Sequence, residues 1–147
     1  MRTLLNIMVT LTMLVGIVGY AQPASAQQKD VTIKIRSIAA SKHGDSFDKR
    51  LDSLKGQLQK AFGSYTNFKL IDEKSFELAK GKSNTASVPG GTKVTVSFEG
   101  TSGDFLRLGL SIADKLSTTL RASPGSTFFQ AGLDYKDGML ILAITAK

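Results

Sequence analysis

Val31-Thr32-Ile33-Lys34-Ile35-Arg36 puts an apolar side chain at every second position, and the same period returns along most of the chain that follows. Phe68 and Leu70, Phe76 and Leu78, Val94, Val96 and Phe98, and Leu106 to Ile112 repeat it. A period of two fits an extended strand with one wet face, because successive side chains point to opposite sides. Pro89-Gly90-Gly91, Asp114-Lys115, Ser123-Pro124-Gly125-Ser126 and Asp137-Gly138 separate the strand-like segments, and turns this short join antiparallel neighbours. Met139 to Ile144 is continuously apolar, which predicts a central strand covered on both faces. Ile38 and Ala40 fall out of phase with the first segment, so a bulge or the strand's end is expected there.

One segment has a different period. Phe47, Leu51, Leu54, Leu58, Ala61 and Phe62 form a single helical stripe. Asp45 or Ser46 is placed to cap its start and Gly63 to stop it. The stripe needs cover, and a sheet is what the sequence offers. The fold class expected is therefore α+β: one amphipathic helix of about four turns packed on an antiparallel-rich sheet of about six to eight strands.

Residues 1–26 read as a signal peptide rather than part of the fold. Arg2 precedes an apolar run from Leu4 to Val18, Pro23 breaks it, and Ala24-Ser25-Ala26 sets small residues where a signal peptidase needs them. The run is shorter than the roughly 20 residues a membrane span requires. Export by a cleaved leader follows, to a bacterial periplasm or beyond, leaving residues 27–147 as a single globular α+β domain. No cysteine is present, which excludes disulfides, thiolate metal sites, cysteine nucleophiles and lipid attachment at cysteine.

The 19 Lys and Arg against 12 Asp and Glu make the chain basic. Nearly all of the excess lies before Ser83. Lys34 and Arg36 on the outward side of the first strand, with Lys49, Arg50, Lys55 and Lys60 on the helix, form a candidate ligand-binding basic patch. Its alternative reading is a solvated helix face diluted by Asp45, Asp48 and Asp52. Anionic glycan or lipid surfaces are the partners it would suit. Nucleic acid is not expected, since no aromatic residues interleave with the lysines.

Motifs that carry chemistry are weak. Ser46-Phe47-Asp48-Lys49 matches S-x-x-K but lacks the S-D-N and K-T-G companions. His43, the one histidine, stands in a polar loop and cannot build a His-based metal site alone. Asp134-x-x-Asp137-Gly138 departs from calcium-loop spacing and reads as a hairpin turn, as does Gly90-Gly91-Thr92-Lys93. Glu73, Glu77, Glu99 and Asp104 could pair across strands only by virtue of the fold. Phe128-Phe129 directs adjacent rings to opposite faces, one into the core and the other needing cover from the helix or a partner.

Gly125 to Leu133 followed by Gly138 to Thr145 resembles the closing strands of secretin modules, where a glycine-led strand precedes an apolar one. The whole mature chain is similar to small exported bacterial proteins of unassigned function, with β-α and then a β-meander. Secretin-type modules alternate helices and strands, whereas one helix is legible here. Neither resemblance implies a catalytic residue or a cofactor. The expectation is a non-enzymatic exported module acting through a binding surface, such as an envelope accessory or scaffold protein. Its alternatives are a small hydrolase using Asp/Glu carboxylates, and an anionic-ligand binder or inhibitor using the basic helix face. No catalytic residue, metal site or cofactor is assigned.

Overall fold

The computed structural model describes residues 29–147, so the leader at 1–26 lies outside the described residues. The elements in order are β1 (Val31–Ser41), β2 (Ser46–Phe47), a 3₁₀ segment (Lys49–Leu54) running into α1 (Lys55–Ala61), β3 (Asn67–Leu78) and β4 (Ser83–Ser87). There follow β5 (Lys93–Ser102), β6 (Phe105–Ile112), β7 (Leu116–Ala122), β8 (Thr127–Tyr135) and β9 (Gly138–Ala146). The fold is α+β, but the strands divide between two sheets. One has the order β2-β3-β1-β9-β8 and the other β4-β5-β6-β7. All pairings are antiparallel except the two-residue β2 against β3. Among the described residues no helix is long and apolar enough to cross a membrane.

Two buried clusters show why a second sheet is needed. Val31, Ile33 and Ile35 of β1 and Leu140, Leu142 and Ile144 of β9 pack against Val94, Val96, Phe98, Leu106, Leu108 and Leu110 of the other sheet. On the opposite face of the five-stranded sheet, Ile38, Ala40, Phe68, Leu70, Ile141 and Ala143 pack against Leu51, Leu54 and Leu58. The molecule is thus a β-sandwich with the helical segment as a third layer. Central β9 sends alternate residues into both clusters, as its unbroken apolar run predicts. A single sheet would have left one side of β9 wet.

The phase break in β1 has a cause other than a bulge or an end in that strand. Its odd-numbered face meets the second sheet at Val31, Ile33 and Ile35. Its even-numbered face is half-buried at Lys34 and Arg36 and comes under the helix only at Ile38 and Ala40. The extra residue lies in β3, where pairing shifts between Ser37↔Asp72 and Ile38↔Leu70 and passes over Ile71. That bulge lets Phe68 and Leu70 face the helix while Phe76 and Leu78, of the same parity, face the second sheet.

The helix differs from its expected form. Ser46 and Phe47 pair with Asn67 and Phe68 as a short parallel strand, so neither Asp45 nor Ser46 caps it. Asp48 does, accepting the Arg50 N–H at 3.0 Å. Leu51 and Leu54 stand three apart because the first six residues are 3₁₀, and only the last two turns are α. Phe47 packs its ring on Phe68, with centroids 5.7 Å apart, from a strand and not from the helical stripe. Ala61 is exposed. Phe128 and Phe129 lie on opposite faces: Phe128 joins the inter-sheet cluster, and Phe129 meets Phe62 edge-on at 6.1 Å, so the helical segment supplies the second ring's cover.

Candidate functional site

Where the helix stops covering the five-stranded sheet, a cleft of about 480 Å³ opens, lined by Arg36, Ser53, Leu54, Gln57, Gly125, Ser126, Thr127 and Thr145. Strand register builds its floor. Lys34 lies opposite Thr145, and Thr145 opposite Thr127, so β1, β9 and β8 carry these side chains in one row. The helical segment contributes Ser53 and Gln57 from above, and the turn between β7 and β8 closes one side. Gly125 holds a φ of +83°, which an L side chain rarely adopts, and its N–H bonds to Ala146 O at 2.7 Å.

Arg36 is the cleft's positive charge. Its Nε lies 3.3 Å from Glu73 Oε2, while Lys34 Nζ lies 3.7 Å from Glu73 Oε1. One carboxylate between two cations leaves one net positive charge beside the opening. The Arg36 Nε is shielded from solvent and faces Glu73 as an ion pair without hydrogen-bond geometry, so the exposed remainder of the guanidinium is what lines the cleft. Thr127 and Thr145 share a hydroxyl–hydroxyl bond of 2.7 Å, so whichever accepts keeps its own proton for a further acceptor. A guanidinium, hydroxyls and an amide around this volume suit a small, hydroxylated, negatively charged molecule.

Only Lys34 and Arg36 of the six basic positions take part. Arg50 is held by Asp48, with Nη2 to Oδ2 at 2.7 Å, and donates to Leu70 O at 2.9 Å. Lys55 Nζ lies over the Phe47 ring at 5.3 Å. Lys49 and Lys60 are exposed. The stripe of cations is therefore not one surface, because two of its members serve local packing.

Asp48 ties the helical segment to the sheet. Beyond its cap bond to Arg50, it accepts from the Leu70 N–H at 3.1 Å, and its side chain is only 14% exposed. The Arg50 side chain, then the Arg50 and Leu70 amides, hold its carboxyl well below the usual carboxylate range against an opposing effect of burial. A depressed folded-state pKa stabilises the fold above the unfolded value of about 4 and is lost as pH falls below it. Asp48→Asn is expected to weaken the fold at pH 7 and to flatten the fall in stability between about pH 5 and pH 2, as acid titrations of thermal unfolding would show.

The other acidic and histidine candidates are kept apart. Glu73 and Glu77 stand four residues apart on β3, about 13 Å along a strand. Glu99, bonded to Arg107 at 3.6 Å, is on the other sheet, and Asp104 is in the turn after β5. His43, 78% exposed, faces Asp137 at 3.8 Å beyond the far end of β1 from the cleft. Among the described residues no three His, Cys, Asp or Glu gather as a metal site would require. Gly90-Gly91 lies in a turn as its sequence indicates, whereas the last hairpin turns on Lys136-Asp137 and Gly138 already opens β9.

Sequence reasoning missed Ser53, Gln57, Thr127 and Thr145, since four separate elements bring them together. One signal was present: Thr145 is the first polar residue to interrupt the apolar run of β9. Comparison with protein-family models, with curated proteins and with solved structures returned no match.

Proposed function

We propose that this chain is an exported, non-enzymatic binding module of the bacterial envelope, an accessory protein that holds a small anionic ligand in the Arg36 cleft. The observation that carries this reading is the Arg36 guanidinium, its Nε paired with Glu73, at a cleft lined mainly by hydroxyl and amide groups from four elements. Such a set offers a ligand donors and one charge, which is the means of holding it. Glu73, the carboxylate beside Arg36, is engaged by Lys34 and Arg36. Export rests on the leader sequence, and the released protein then begins at Gln27, which N-terminal sequencing reads directly.

Calorimetric titration with D-glucuronate, inorganic phosphate and glucose tests the binding claim. One of the two anions is expected to bind and glucose not. Arg36→Gln is expected to weaken binding at least tenfold, about 1.4 kcal/mol. Affinity for neither anion, or unchanged affinity in the variant, would remove the cleft from consideration.

A further inference from the structure

Among the described residues the four-stranded sheet has a layer on one side only. Its outer face carries Lys93, Thr95, Ser97 and Glu99 of β5, Phe105, Arg107, Gly109 and Ser111 of β6, and Ser117, Thr119 and Arg121 of β7. Register sets the hydroxyls in two ranks across the strands. Thr85, Thr95, Ser111 and Ser117 lie opposite one another in turn, as do Ser83, Ser97, Gly109 and Thr119. Neighbours within a rank are about 4.8 Å apart. Thr85 and Thr95 bond each other at 2.7 Å, whereas among the described residues the hydroxyls of Ser97, Ser111 and Ser117 have no partner. Gly109 keeps the middle low, because a Cβ there would collide with Ser97 Oγ. The result is a shallow polar depression of about 390 Å³.

Charge and an aromatic ring flank the ranks. The second half of the chain is nearly balanced in formal charge, yet Lys93, Arg107 and Arg121 share this face with one acid, Glu99. Asp104, Asp114 and Asp137 are in turns. Phe105 is the one exposed large hydrophobic residue among those described, 40% accessible, with the Arg121 guanidinium 4.7 Å over its ring.

We infer that this face docks an anionic polysaccharide. Hydroxyl ranks repeating at close to the length of a sugar ring offer hydrogen bonds to successive units. Lys93, which also reaches Ser87 Oγ, and Arg121 answer acidic groups, Arg107 exchanges its Glu99 partner for one, and the exposed part of Phe105 beside Arg121 packs against a sugar ring. A lipid bilayer would want an apolar band, and the face has a single phenylalanine. The site lies on the opposite side of the sandwich from Arg36, so it stands independently of the cleft.

Affinity electrophoresis of the purified protein through polygalacturonate, dextran or buffer alone tests it, with binding to phosphatidylglycerol vesicles measured in parallel. Expected are retardation by polygalacturonate, none by dextran, and loss of retardation at high salt. The double substitution Arg107→Ala with Arg121→Ala, and separately Phe105→Ala, are expected to weaken binding at least tenfold and threefold while circular dichroism stays unchanged. Arg36→Gln should leave retardation intact. The inference is overturned by equal retardation in dextran, by no effect of the double variant, by a loss in Arg36→Gln matching the double variant, or by tighter binding to vesicles than to polygalacturonate.

Discussion

Phe98→Ala is expected to lower the unfolding free energy by about 3–5 kcal/mol. Phe98 is fully buried and belongs to the cluster through which the two sheets meet. Truncation removes the ring's transfer free energy and leaves a cavity that paired strands on either side cannot collapse to fill. A domain of this size has roughly 5–15 kcal/mol of stability in total, so the variant should unfold at much lower urea with its slope little changed. Phe128→Ala, at a partly buried edge position, should cost distinctly less. Equal losses at the two positions would mean that the sheets do not pack as described.

Gly138→Val is the second large effect, expected at about 3 kcal/mol, the upper end of the overpacking range. Gly138 follows the Lys136-Asp137 turn, where a glycine usually supplies positive φ. Here the positive φ falls on Lys136, at +50°. Gly138 serves another need: a Cβ there would collide with the main-chain carbonyl oxygen of Ala40 on β1. Because the obstacle is backbone in an adjacent paired strand, it cannot rotate away. Gly90→Ala provides the contrast, since that residue has open space around it and only its φ of +94° to strain the variant. Thermal unfolding of both variants separates the mechanisms, with Gly138→Val expected to fall the further.

Those two glycines show where sequence reading was sufficient and where it was not. Period-two alternation located strands because each exposes one face and buries the other, and the apolar run of β9 announced a central position for the same reason. Alternation cannot report which layer a strand's buried face meets. Ile38 and Ala40 therefore seemed out of phase, when β1 simply gains the helix over its second half. The bulge at Ile71 is silent for a similar reason: Phe68, Leu70, Phe76 and Leu78 keep one parity while facing opposite layers. The helical stripe was legible, but its start was not, because Asp48 competes with Asp45 and Ser46 as a cap and wins through bonds to Leu70 and Arg50 that are distant in sequence or depend on tertiary placement.

The site was legible only in part. Lys34 and Arg36 stand out as cations on an alternating strand, and both lie beside the cleft. Arg50 and Lys55 share the composition of the patch but not its use, since their charges meet Asp48 and the Phe47 ring. The hydroxyls of Thr127 and Thr145 belong to strands that become neighbours only when β8 folds back on β9.

The Arg36 Nε–H resonance offers the most direct measurement of the cleft's role. It should be observed by nitrogen-15 NMR while D-glucuronate or phosphate is added. A guanidinium that gains an anionic partner should move its Nε–H resonance in a saturable way with the ligand that binds, together with the amides of Ser126, Thr127 and Thr145. An Nε–H that stays in place while shifts scatter over exposed lysines would contradict a binding function for this cleft.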